Sequence, residues 1–204
     1  MRGRKTYIYV ILLIFLSFFS IVLYQSSKDI KTIYTVKYRE VSDINYKVYL
    51  KNNNYYSEES LSSDMSYVSD LIDYIDVNFL YEVNALNVND PFNSYYIKAN
   101  LKIEKDNKVL YTKDYLLEDI ITQNFINNKI VLDKNIKIDY QEYRDIVNSF
   151  LEEYSIDSDI ESSLVLGLYI INDYNIGMKN NDSKSLKVII PINNSTIDIN
   201  INDF

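Results

Sequence analysis

The side chains that most often carry out chemistry are missing from this chain, which has no histidine and no cysteine. Their absence removes imidazole-assisted serine and cysteine nucleophiles, zinc sites with nitrogen or sulfur ligands, and haem or iron–sulfur ligation. It also removes disulfides and any cysteine for lipid attachment. No glycine-rich phosphate loop is present among only 3 glycines. Two chemistries need only what is abundant: a pair of carboxylates, as in glycoside hydrolysis, and a Ser–Lys dyad. With 29 acidic residues, such pairs arise by chance and neither chemistry singles out a position. What makes such a pair reactive is its environment. No catalytic residue and no cofactor is therefore assigned.

Oxygen ligands of the kind calcium takes occur twice, as Asp157, Asp159 and Glu161 and as Asn172, Asp173 and Asn175 ahead of Gly177. Neither run has the spacing of a calcium-binding loop, so solvated acidic loops are the favoured reading and no metal site is assigned. The 21 tyrosines include two adjacent pairs. Tyr95-Tyr96 falls in an alternating stretch, where neighbours point to opposite faces, so one of the two packs inward. Tyr55-Tyr56 lies in the polar run from Asn52 to Ser63 and is the candidate contact surface for a partner.

The elements that must position these residues begin with Tyr7–Tyr24, eighteen residues without a charge or a helix breaker. As a helix this stretch would cover roughly 27 Å, close to the ~30 Å apolar core of a bilayer. Arg2, Arg4 and Lys5 before it give a basic flank, and Tyr7, Tyr9 and Tyr24 sit where interfacial rings are favoured. The segment after it lacks the small-residue pattern of a signal-peptide cleavage site. The expectation is a cytoplasmic tail at 1–6, an uncleaved membrane helix at 7–24, a linker at 25–32 and an extracytoplasmic domain at 33–204. Beyond the basic flank, 18 basic residues face 29 acidic ones, a net charge of −11. Nucleic acid is excluded as a partner on that ground, because phosphate recognition needs a basic face.

Period-two alternation predicts strands at 33–38, 44–51, 77–83, 95–103, 108–117, 129–138, 163–171, 186–192 and 196–201. Asp106-Asn107 makes 95–117 a hairpin. Ser163–Ile171, apolar at both parities, reads as a central strand covered on both sides. Helical spacing of Met65, Val68, Ile72 and Ile75 predicts one short helix. A second, at 140–154, has Asp139 and Glu142 as a capping box and one apolar face formed by Tyr143, Ile146, Val147, Phe150, Leu151 and Tyr154. Strands in succession with few helices predict a mainly β fold, a β-sandwich-like domain with two short packed helices, preceded by one transmembrane helix.

The stretches Leu71–Phe79, Tyr96–Ala99, Val147–Phe150 and Val188–Ile192 resemble a family of uncharacterised membrane-anchored proteins of low-GC Gram-positive bacteria. The resemblance covers most of residues 7–201. It implies an N-terminal anchor and an extracytoplasmic β-rich domain, and it implies no activity, substrate or site residue. The function expected from the sequence is a membrane-anchored, non-catalytic module at the cell envelope, binding a protein or a glycan. The alternative is a carboxylate-dependent enzyme acting on envelope polysaccharide.

Overall fold

The structure, a computed structural model, describes residues 13, 15–22, 24, 37–63, 65–86, 88, 90–156, 160–174 and 181–202. The chain divides into two units, Met1–Thr35 and Val36–Phe204. In the first, the described residues 13, 15–22 and 24 are helical. The membrane-spanning helix expected over 7–24 is not found: among the described residues, no helix is long and apolar enough to cross a membrane. Residues 7–12, 14 and 23 lie outside the described residues, as do Arg2, Arg4 and Lys5. The corrections extend to what rested on that helix: the signal anchor, the single-pass topology with a cytoplasmic N-terminus, and the membrane as a partner.

The second unit is mainly β, as the alternation requires. Its strands are β1 (Lys37–Leu50), β2 (Ser60–Leu61), β3 (Ser66–Val68), β4 (Ile72–Leu86), β5 (Phe92–Lys105), β6 (Lys108–Asn124), β7 (Lys129–Asp139), β8 (Glu161–Asp173), β9 (Asn181–Ile192), β10 (Thr196–Asp198) and β11 (Asn200–Asn202). One helix, α1 (Tyr140–Tyr154), separates β7 from β8. The strands form an antiparallel four-stranded sheet in the order β2-β1-β4-β7 and a five-stranded sheet in the order β11-β9-β8-β5-β6, with β3 and β10 paired apart.

One face of each sheet turns to a common core. Ile75, Val77, Phe79, Tyr81 and Val83 of β4 join Ile97, Leu101 and Ile103 of β5 and Leu164, Leu166 and Leu168 of β8, all fully buried. Large apolar side chains at every second position give these three strands a buried face, and that burial is the main force holding the layers together. The expected sandwich is nonetheless not closed. None of the residues of β6 is buried, and α1 packs against β4 and β9 beside the two sheets.

Of the two expected helices, 140–154 forms as spaced, with the Asp139 carboxylate accepting from the amides of Gln141 and Glu142. Tyr143 and Val147 are buried, but Ile146, Phe150 and Leu151 are only half-buried and Tyr154 is 60% exposed. The other helix is reduced to one 3-10 turn, Ser69–Leu71. Its apolar residues go elsewhere: Tyr67 is buried where β3 meets β10, and Ile72 and Ile75 enter the ladder of β4 with β1, while Met65 and Val68 stay exposed. Long-range pairing overrides the helical spacing here. The expected strands at 33–38 and 44–51 are one strand from Lys37 onward, and residues 33–36 lie outside the described residues. The Asp106-Asn107 turn has φ values of 51° and 60°, the left-handed geometry of a two-residue hairpin. Strand β8 is central, but its outward side chains are half-buried by neighbours within the sheet and not by a second layer.

Candidate functional site

The outward face of the four-stranded sheet is assembled by register. Alternation turns Asn45, Lys47 and Tyr49 of β1 outward, Tyr74, Asp76 and Asn78 of β4, and Asn135, Lys137 and Asp139 of β7. Pairing then aligns them in rows: Tyr49–Tyr74–Asp139, Lys47–Asp76–Lys137 and Asn45–Asn78–Asn135. Strands lie about 4.8 Å apart, so each row is a short ladder of like or complementary groups. The rings of Tyr49 and Tyr74 stack at 4.3 Å with an interplanar angle of 11°, and Lys137 Nζ lies 3.5 Å from the Tyr74 centroid. In the amide row, beyond the charged one, Asn78 donates to Asp133 Oδ1 at 2.7 Å, and Asn45 donates to Asp43 Oδ2 at 2.7 Å. The Tyr74 phenol is raised above its ordinary value, first by desolvation and then by Tyr49 and the carboxylates of Asp76 and Asp73. It therefore keeps its proton and remains a donor at neutral pH.

Two shallow hollows meet on this face. One, of about 420 Å³, is lined by Asn45, Lys47, Tyr49, Asp76, Asn78 and Asn135 together with Tyr46, Ser62 and Ser63. The other, of about 400 Å³, shares Tyr49 and adds Tyr74, Asp73, Lys51, Asn53, Tyr56 and Glu59 among its lining. The loop after β1 forms the rim because Asn53 ties it into a compact turn. Its side-chain oxygen accepts from the amides of Tyr55 and Tyr56 at 2.9 and 2.8 Å, while its Nδ2 donates to the Lys51 carbonyl at 2.9 Å. Tyr56 is half-buried against the core and edges the second hollow. Tyr55 is 85% exposed and lines neither hollow.

The structure thus brings one of the two tyrosines expected as contacts, Tyr56, to the site. The larger aromatic feature, Tyr49 with Tyr74, was not singled out in the sequence. The alternation already sets Tyr49 on a face with Asn45 and Lys47, but its partners come from β4 and β7, whose register the sequence does not state. Of the other pair, Tyr95 is buried and Tyr96 faces outward, stacked on Tyr169 at 4.9 Å.

Among the described residues, no group of three or more His, Cys, Asp or Glu is placed to hold an ion. Asn172 is buried, and Asp157, Asp159, Asn175 and Gly177 lie outside the described residues.

A second cluster of polar groups lies between the sheets. The Tyr81 hydroxyl donates to Glu40 Oε1 at 2.5 Å and accepts from Asn172 Nδ2 at 2.5 Å, while Asn172 Oδ1 accepts from Asn93 Nδ2 at 2.8 Å. Glu40 in turn forms an ion pair with Lys184. Burial, and then the bond to Glu40, push the Tyr81 phenol far above its ordinary value, so it is a fixed donor. A hollow of about 470 Å³ lined by Lys37, Tyr38, Arg39, Val41, Glu82, Asn84 and Leu86 lies on the outward face of the same sheet, away from these groups. The cluster ties β1 and β4 of one sheet to β5, β8 and β9 of the other.

Fold and surface together define a mainly β domain of two facing antiparallel sheets with a flat, tyrosine- and amide-bearing outer face. No protein-family model matches the chain, and a comparison with curated proteins finds no match.

Proposed function

We propose that the domain is a non-catalytic binding module and that the outer face of its four-stranded sheet takes an extended polar ligand, a glycan. One observation carries this reading: the in-register rows put a stacked tyrosine pair beside a charged row, with an amide row beyond it, on one sheet face. Sugars offer both an apolar C–H face, which stacks on a phenol ring, and hydroxyls, which pair with amides and carboxylates. A polymer lying across β1, β4 and β7 meets both along its length.

The test is titration of the full chain by calorimetry with neutral and N-acetylated hexose oligosaccharides. We expect saturable binding to at least one of these classes and a loss of about tenfold or more in affinity for Tyr74→Ala, with a smaller loss for Asn78→Ala. Absence of binding across the panel, or binding that neither substitution weakens, overturns the proposal.

A further inference from the structure

The apolar face of α1 is covered over its first half and open over its second. Tyr143 is buried, its ring edge-on to Tyr115 of β6 at 5.4 Å, and Val147 is buried below it. A groove of about 620 Å³ runs along the helix from Glu142 to Tyr154, with Tyr111 of β6 on its other side. Its aromatic wall is a chain of three rings, Tyr111 against Phe150 at 5.2 Å and Phe150 against Tyr154 at 5.0 Å. Its polar wall carries Glu142, Asp145 and Glu153, and among the described residues no basic side chain lines it.

Three features of this groove are unfavourable in the free protein, and one kind of ligand relieves all of them. The last turn of α1 carries Glu153 and no basic residue, although a helix C-terminus presents carbonyl oxygens and favours cations. Arg144, on the same helix, is engaged with Asp70 at 2.5 Å. Three aromatic rings remain partly open to water, with Tyr154 60% exposed. Finally, the carboxylates face the groove from a domain that is already strongly negative. Ammonium or guanidinium groups spaced along one peptide satisfy the carboxylates and the helix end in turn, and the faces of the rings attract them by cation–π interaction while their alkyl stems cover the rings. A purely apolar helix would desolvate the carboxylates without compensation. A metal ion would gain nothing from the rings.

We infer that the groove between α1 and β6 is a docking site for a lysine- or arginine-bearing peptide segment of a partner protein. The site is distinct from the glycan face on the four-stranded sheet and does not depend on it.

The chain has no tryptophan, so Tyr154→Trp places a single fluorescent reporter in the groove of the full-length protein. The probes are heptalysine and the same peptide fully acetylated. Heptalysine is expected to shift the reporter emission saturably and the acetylated peptide to leave it unchanged. In the reporter background, Glu142→Gln with Glu153→Gln is expected to weaken binding about tenfold, whereas Glu58→Gln with Asp106→Asn, which removes the same charge elsewhere, is expected to change it less than about threefold. Phe150→Leu, which keeps an apolar filler but removes the ring, is expected to weaken binding several-fold. Equal weakening by the two charge-removing pairs would show that heptalysine senses only the overall negative field, and the proposal falls. No response to heptalysine, or full binding after Phe150→Leu, likewise overturns it. A circular dichroism spectrum of each variant identical to that of the parent ensures that a lost response is not an unfolded protein.

Discussion

Replacing Tyr81 by phenylalanine removes one oxygen atom from the fully buried bridge between the sheets and leaves the ring in place. The hydroxyl makes a charge-assisted bond to Glu40, a type that contributes about 1.5–3 kcal/mol. It is also the acceptor for Asn172 Nδ2, and a buried donor deprived of its acceptor costs about 1–3 kcal/mol. The two costs share a group and do not add in full, so the expected loss is about 3 kcal/mol, out of a total stability of about 5–15 kcal/mol. For a domain of this size that corresponds to a fall in Tm of roughly 6–12 °C. Urea unfolding of the full chain followed by far-UV circular dichroism measures it. Tyr96→Phe, on the outer face, serves as the control and is expected to change stability by less than about 0.5 kcal/mol. Further, Asn172→Ala should cost less in the Tyr81→Phe background than in the parent, because the bond between them is already gone. A Tyr81→Phe loss below about 1 kcal/mol, or strict additivity of the two changes, would refute the view that this chain of polar groups holds the sheets together.

Two further outcomes are expected. A Cβ at Gly167 would fall 2.7 Å from Tyr169 Cε2, so Gly167→Ala should push that ring off Tyr96 and destabilise the domain by about 1 kcal/mol, an effect that Tyr169→Ala should largely cancel in a double-mutant cycle by urea titration. Asp114 is held below its ordinary carboxylate value, first by the Asn100 amide and then by Lys98 at 3.1 Å. A lowered folded-state value means that its contribution is present at neutral pH and is lost as pH falls through that value. Because the pair is exposed, Asp114→Asn should cost less than about 1 kcal/mol at pH 7. The difference should vanish in acid once the carboxyl is protonated, which thermal melts of both proteins between pH 2 and 7 would check.

What could be read from the sequence was the local part of the fold. Helix 140–154 follows from a cap, a spacing and a length, all within fifteen residues, and the Asp106-Asn107 hairpin follows from two side chains that tolerate positive φ. The segment 65–75 misled because its apolar residues repeat at helical intervals while their partners lie far away, Tyr67 beside Ile197 and Ile72 beside Leu50. The binding face was half legible: alternation placed Tyr49 with Asn45 and Lys47, but only the register of three strands that are not consecutive in sequence sets Tyr74 and Asn135 next to them. The openness of α1 beyond Val147 was hidden for a related reason. Spacing shows which residues share a face, whereas where its cover ends depends on the course of β6.

The pairing of β3 with β10 bears on how the protein is made. Ser66–Val68 near the start of the domain hydrogen-bonds to Thr196–Asp198 near its end, and the Ser69 amide donates to the Ser195 carbonyl at 3.1 Å. A ribosome adds roughly 5–20 residues per second, so β3 and the buried Tyr67 wait on the order of ten seconds for the strand that covers them. Hairpins such as β5–β6 and β8–β9 can form in microseconds as they emerge, but the β5–β8 joint must close a long loop first. The domain therefore cannot complete its core until β10 leaves the exit tunnel, with the exposed Leu116, Ile120 and Ile121 of β6 already displayed in the waiting chain. A trigger for chaperone engagement is thus built into the strand order, and moving the C-terminal strands ahead of β1 by circular permutation would remove that delay.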